Sequence, residues 1–130
     1  MPKTIKGILV DIKKNTLEVI DFNYDSYKDF YPLLNCEHFD IVERKFGNKY
    51  CDIYCDDEGL FKEDNKPAIF THYKGKCVEH IVGNVFICGH DDEGETISLT
   101  AEQIEAVLLH CGTYYDPYDK CHRRCLSATY

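Results

Sequence analysis

Cysteine and histidine residues lie close together late in the chain, and both residue types bind zinc. Cys121 and Cys125 have a C-x3-C spacing within KCHRRC, which brings both sulfur atoms to one ion if this segment forms a helical turn. The alternative is a pair of free, partly exposed thiols. The candidate zinc ligands are His110, Cys111, Cys121, His122 and Cys125, and no other cofactor is indicated.

A second C-x3-C pair, Cys51 and Cys55, lies in the alternating segment KYCDIYC. Residues four apart on a strand share a face but are about 13 Å apart. That separation is too large for one zinc ion or for a disulfide bond. We therefore expect these two cysteines in the core.

Two acidic turns share the sequence DDEG, at 56–59 and at 91–94. Clustered carboxylates can bind Ca²⁺ or Mg²⁺, but neither turn continues into the calcium-binding loop pattern. Acidic residues before glycine are also ordinary turn chemistry, so we expect solvated turns that concentrate negative charge. If this charge has a function, it is contact with a partner through Asp56, Asp57, Glu58, Asp91, Asp92, Glu93 and Glu95.

Aromatic and basic side chains recur in residues 113–130, which contain little aliphatic material. Aromatic rings and arginine can stack on a nucleobase, and arginine also binds phosphate. An alternative function is therefore the binding of a nucleotide signal, by Tyr114, Tyr115, Tyr118, Arg123 and Arg124.

No catalytic residue is predicted. Cys36 with His38 and Cys88 with His90 are nearby thiol–imidazole pairs, but alternate residues of a strand share a face without pointing at each other. No nucleophile turn, phosphate-binding glycine loop or H-E-x-x-H pattern accompanies them. The sequence therefore predicts a protein that is not an enzyme.

Composition predicts an acidic, cytoplasmic domain. The 130 residues include 15 basic and 23 acidic ones, for a net charge of −8, which argues against direct binding of nucleic acid. No apolar run reaches the 18 residues of a membrane span, and no signal peptide follows MPKTIK. Without export, the eight cysteines are expected to be reduced and mostly structural.

Periodicity predicts mostly strands in the first 100 residues. Alternating segments predict one hairpin over 3–12 and 16–22 and a second hairpin around Gly47-Asn48. A short helix after Asp25 or Ser26 is expected to be kinked or split at Pro32. AIFTHYK and KCVEHIVGNVFICG predict further strands.

The clearest predicted element is a helix that starts at a Thr100–Gln103 capping box and ends at Gly112. These elements predict an α+β fold, with an antiparallel or mixed sheet, two helices and an irregular C-terminal tail. Residues 1–112 would form the domain and residues 113–130 the tail. The domain holds 21 acidic and 12 basic residues, a net charge of −9.

Several segments together resemble a small, uncharacterised family of Clostridia-like bacteria, their phages and their conjugative elements, known only as a domain of unknown function. The matching segments are IKGILVD, CDDEGLF followed by NKPA, IVGNVFICG and GETISLTAEQIEAVL, which together span roughly residues 4–108. The resemblance implies a small intracellular domain encoded on mobile DNA near antirestriction genes, and it implies no catalytic residues. With the acidic charge, it leads to the hypothesis of a non-enzymatic protein that binds a host protein and blocks a restriction or CRISPR-type defence system.

Overall fold

Most of the chain forms one mixed β-sheet in the computed structural model, which describes residues 3–62 and 65–130. The strands of the described residues are β1 Lys3–Asp11, β2 Thr16–Tyr24, β3 Phe39–Phe46, β4 Lys49–Asp56, β5 Pro67–Tyr73, β6 Lys76–Val82, β7 Val85–His90, β8 Thr96–Ile97, β9 Cys111–Asp116 and β10 Cys121–Thr129. The helices are α1 Phe30–Leu34 and α2 Ala101–Leu109, with 3-10 turns at Tyr27–Asp29 and Gly59–Phe61. The predicted class, α+β with a mixed sheet and two helices, is confirmed.

The sheet order is β2-β1-β7-β4-β3-β10-β5-β6, with β8 paired to β7 and β9 to β10. Both predicted hairpins are present, as the antiparallel pairs β1–β2 and β3–β4. The β3–β4 turn places Gly47 at φ +63°, a backbone conformation that glycine adopts at little cost. Local alternation and turn residues therefore account for the pairing of strands that follow each other in the chain.

Both predicted helices form, with adjusted ends. The first is short, as expected, but it is not split at Pro32: the 3-10 turn passes into α1 at Phe30, and Pro32 lies inside α1. No described helix is long and apolar enough to cross a membrane. In α2 the Thr100 hydroxyl accepts a hydrogen bond from the Gln103 N–H at 3.1 Å, and the Gln103 side chain accepts one from the Thr100 N–H at 2.9 Å. The helix ends at Leu109 and not at Gly112, because Cys111 and Gly112 already belong to β9.

The expectation of an irregular C-terminal tail is wrong. Strand β10 lies inside the sheet, parallel to β5 along four residue pairs and antiparallel to β3 at Thr129. Cys125, Leu126 and Ala128 supply the buried apolar positions of this strand. The apolar content of the segment is low, but it is concentrated where the sheet needs it.

Three charged residues of this segment form ion pairs within the fold. The buried Asp116 accepts a hydrogen bond from the Arg123 Nε at 2.6 Å and lies 3.2 Å from the Lys66 Nζ. Arg123 also contacts Asp119 and donates to the Ile12 carbonyl oxygen at 3.1 Å. We call these four charged residues, Lys66, Asp116, Asp119 and Arg123, the balanced cluster. It fastens β9 and β10 to the end of β1 and the start of β5.

The sheet is covered on two faces by different cores. One face packs against α2 and is aliphatic, with Ile53, Ile87 and Leu126 fully buried. The other packs against α1 and is aromatic, with Phe30 stacked on Tyr54 at a ring distance of 4.6 Å. Gly7 lies on this aromatic face, where a Cβ atom would come within 2.5 Å of the Phe86 ring. Farther along the same face the aromatic side chains give way to polar ones.

Candidate functional site

Strand register brings three polar side chains together at the polar end of the aromatic face. Glu43 of β3 is paired with Asp52 of β4, and Asp52 is paired with Cys88 of β7. His90 follows two residues after Cys88 and so lies on the same face of β7. Three neighbouring strands thus contribute one side chain each. We call Glu43, Asp52 and His90 the acidic triad.

The three side chains are in direct reach of one another. The His90 Nδ1 lies 2.7 Å from the Asp52 Oδ2, which is a hydrogen bond. One nitrogen or oxygen atom from each of the three residues lies within 4.8 Å of the others. Asp52 is only 8% exposed, whereas Glu43 and His90 face solvent.

The acidic triad has an excess of negative charge. Within residues 3–62 and 65–130, no lysine or arginine forms an ion pair with Glu43 or Asp52. The hydrogen bond that the imidazole donates to Asp52 and the charge of that carboxylate raise the pKa of His90 above its usual value. The imidazole is therefore the compensating group for two carboxylates.

A recess of about 290 Å³ opens at the acidic triad, and Tyr50, Cys51, Gly89 and Gln103 complete its lining. The Gln103 side-chain amide donates a hydrogen bond to the Tyr50 carbonyl oxygen at 2.9 Å. This bond ties the start of α2 to β4 beside the recess. The recess is therefore walled by elements from both cores.

The cysteines near the recess are poor nucleophiles. Burial raises the pKa of Cys51 to about 12 and raises that of Cys88 as well. Both thiols are fully protonated near neutral pH, and thiolate is the reactive form. The geometry places no activated thiol beside His90.

The two acidic turns lie at opposite ends of β4 and do not form one contact face. Asp56 closes β4, is 8% exposed and forms an ion pair with Lys62 at 2.5 Å, while Asp57 and Glu58 are exposed beside it. The β4–β7 register puts the turn at 91–95 beyond the start of β4, about 20 Å away. The seven predicted contact residues therefore form two separate groups, and the group of Asp91, Asp92, Glu93 and Glu95 is the one next to the acidic triad.

The residues proposed for nucleotide binding do not all converge on one site, although Tyr114 and Arg123 are cross-strand partners on β9 and β10. Arg123 is engaged by Asp116 and Asp119, and Arg124 lies on the opposite face of β10. The Tyr114 hydroxyl donates to the Pro67 carbonyl oxygen at 3.1 Å, whereas Tyr115 and Tyr118 project into solvent. Backbone alternation separates groups that are adjacent in the sequence.

The predicted zinc ligands are also dispersed. Cys121 and Cys125 lie on strand β10 and not on a helical turn, so they are about 13 Å apart. His122 points to the other face of the strand, and the His110 Nδ1 bonds the Ala106 carbonyl oxygen at 2.7 Å. In the part of the chain that the structure describes, the acidic triad is the one group of three such donors within mutual reach.

Sequence analysis missed the acidic triad because its members come from three strands and share no motif. One signal was available in KYCDIYC, where Asp52 occupies the middle of a strand whose neighbours are buried. A buried carboxylate requires a partner, because its desolvation is costly. The identity of that partner depends on the strand order.

Comparison with known proteins identifies the family of this chain. The model of the family described as a domain of unknown function, DUF3846, matches residues 5–112. No curated protein and no solved structure matches the chain. The matched region contains the acidic triad and the turn at 91–95, and it covers well over half of the 130 residues. The chain belongs to the DUF3846 family, whose function is unknown.

Proposed function

We propose that this protein is a non-enzymatic interaction protein that binds a basic surface of another protein. The contact surface we propose is the turn Asp91–Glu95, which adjoins the acidic triad. A host defence enzyme of the restriction or CRISPR type, acting in the cytoplasm, is the partner class we favour. Such enzymes hold nucleic acid in basic grooves, which an acidic protein can occupy.

The uncompensated charge at this end of the sheet carries the proposal. Nearby lysines are already engaged, Lys3 by Glu95 at 3.4 Å and Lys49 by Glu102 at 3.0 Å. Asp92 and Glu93 are exposed and have no ion pair among the described residues. A concentrated field of one sign speeds and orients association with a surface of the opposite sign.

The turn is well suited to present these charges. The Asp91 side chain accepts hydrogen bonds from the backbone N–H groups of Glu93 and Glu95, at 2.9 and 2.8 Å. Asp91 therefore holds the turn, while Asp92 and Glu93 project from it. A preordered contact loses less conformational entropy on binding than a mobile one.

The test compares two charge-matched variants as baits in a lysate of bacteria that carry restriction and CRISPR systems. Asp92→Asn/Glu93→Gln neutralises the proposed contact turn, and Asp57→Asn/Glu58→Gln removes the same charge at the other end of β4. The identified partner is then purified, and its affinity is measured with and without competing DNA.

We expect the wild type and the Asp57/Glu58 variant to bind the same partner, and the Asp92/Glu93 variant to bind it at least tenfold more weakly. DNA and raised salt should both release the complex, because the contact is electrostatic. Equal binding by all three proteins, or a complex that DNA does not displace, would contradict the proposal.

A further inference from the structure

The acidic triad supports an inference that does not depend on the proposed function. We infer that Glu43, Asp52 and His90 form a binding site for one divalent first-row transition-metal ion. The site is distinct from the cysteine-containing zinc set considered above. It lies on the sheet itself, with one ligand from each of three neighbouring strands.

The donor atoms have suitable chemistry and spacing. Imidazole nitrogen and carboxylate oxygen are both common ligands of first-row divalent ions. Two donors bound at about 2.1 Å from one ion lie roughly 3 to 4 Å apart. The three donor atoms here are within 4.8 Å of one another, and the 2.7 Å contact between His90 and Asp52 has only to open slightly. Glu43 and His90 are exposed and free to make that adjustment.

A comparison of the buried carboxylates supplies a second, independent argument. Three aspartates are buried among the described residues, namely Asp52, Asp56 and Asp116. Asp56 is paired with Lys62, and Asp116 with Arg123 and Lys66. Only Asp52 has no lysine or arginine partner: its partner is the His90 imidazole, which it shares with a second carboxylate, that of Glu43. A divalent ion would supply at Asp52 the positive charge that lysine and arginine supply at the other two.

The recess leaves room for the rest of a coordination shell. About 290 Å³ is available beside the three donors, and the His90 side chain is 49% exposed. A water molecule occupies about 30 Å³ in the liquid, so an ion and several waters fit. Three protein ligands with open positions for water are typical of reactive metal sites, whereas structural zinc sites use four protein ligands.

The experiment is a titration of the full chain with Co²⁺ after chelator treatment, followed by visible absorption. We expect one Co²⁺ per chain, with ligand-field bands and without the near-ultraviolet charge-transfer band of a cobalt–thiolate bond. Glu43→Gln and His90→Ala should each weaken binding at least tenfold. His122→Ala and Glu105→Gln, at exposed positions away from the recess, are the matched controls and should bind as the wild type does.

Both test positions are exposed, so the outcome does not depend on altering the buried Asp52, and circular dichroism of each variant checks the fold. Thermal unfolding gives a second measurement, because an ion that binds only the folded state raises the wild-type Tm. Absence of saturable Co²⁺ binding by the wild type overturns the inference. So does binding that carries the thiolate band, or that survives both Glu43→Gln and His90→Ala.

Discussion

The balanced cluster and the acidic triad are each built around one buried aspartate, but they differ in charge. Asp116 is 4% exposed and contacts Arg123 and Lys66, so with Asp119 the cluster holds two acids and two bases. Asp52 is 8% exposed and shares one imidazole with Glu43. The first arrangement satisfies every charge within the chain, which is what a structural fastener requires. The second leaves negative charge that a ligand or partner from outside the chain can neutralise.

The largest effect should come from breaking the balanced cluster. Arg123→Ala removes two carboxylate contacts and a hydrogen bond to the Ile12 carbonyl oxygen. We expect a loss of about 3 kcal/mol in the free energy of unfolding, near the low end for removing one partner of a buried pair, because Lys66 remains. Urea unfolding measures it. Arg124→Ala, an exposed neighbour on the other face, should cost no more than about 0.5 kcal/mol; equal losses would show that the cluster does not fasten the strand.

A smaller effect should appear in the acid dependence of stability. The hydrogen bond from Arg123 holds the pKa of Asp116 well below its usual range, whereas the pKa of an aspartate in the unfolded chain is about 3.9. Its contribution is therefore complete above about pH 4 and is lost as the pH falls through the lowered folded-state pKa.

The Asp116→Asn variant tests this predicted direction of the pH dependence of stability. The stability difference between wild type and Asp116→Asn should be largest near neutral pH and should shrink in acid. Urea unfolding at a series of pH values measures it. A difference that is constant down to pH 3 would mean that the carboxylate charge is not the stabilising feature.

The smallest effect, with the opposite sign, should come from the acidic triad. Without metal, Glu43→Gln removes a like charge facing Asp52 and should raise stability by about 0.5 kcal/mol. Glu105→Gln, at an exposed position of α2, should change it little. Added Co²⁺ should reverse the order, stabilising the wild type more than Glu43→Gln. A loss of stability in the metal-free Glu43→Gln variant would remove the contrast between the two clusters.

Features encoded by neighbouring residues were predictable from the sequence. The Thr100–Gln103 capping box and the turn at Gly47-Asn48 involve residues within a few positions of one another, so their spacing alone identifies them. The start of the first helix follows from local residues as well, because the Ser26 hydroxyl accepts a hydrogen bond from the Lys28 N–H.

Features encoded by strand order were not predictable. Strand β10 contains two consecutive arginines, Arg123 and Arg124, which indicate exposure unless the ion pairs of Arg123 are known. Glu43, Asp52 and His90 are separated by as many as 47 positions and meet only because β3, β4 and β7 are neighbours. The same alternation puts Arg124 and His122 on the opposite face of β10 from their neighbours in the sequence. The predicted nucleotide-binding residues and the predicted zinc ligands are dispersed for this reason.

The place of β10 has a consequence for how the chain folds during its synthesis on the ribosome. In the described sheet the β5–β6 hairpin is joined to the other strands through β10, which is made later than β3 and β5, the strands on either side of it. Until then β5 has an open edge, and open edges favour intermolecular association. Joining β5 to the rest of the sheet also requires pairing between strands that are far apart in the sequence, which is slow. The emerging chain should therefore depend on chaperones until the ribosome has delivered this strand.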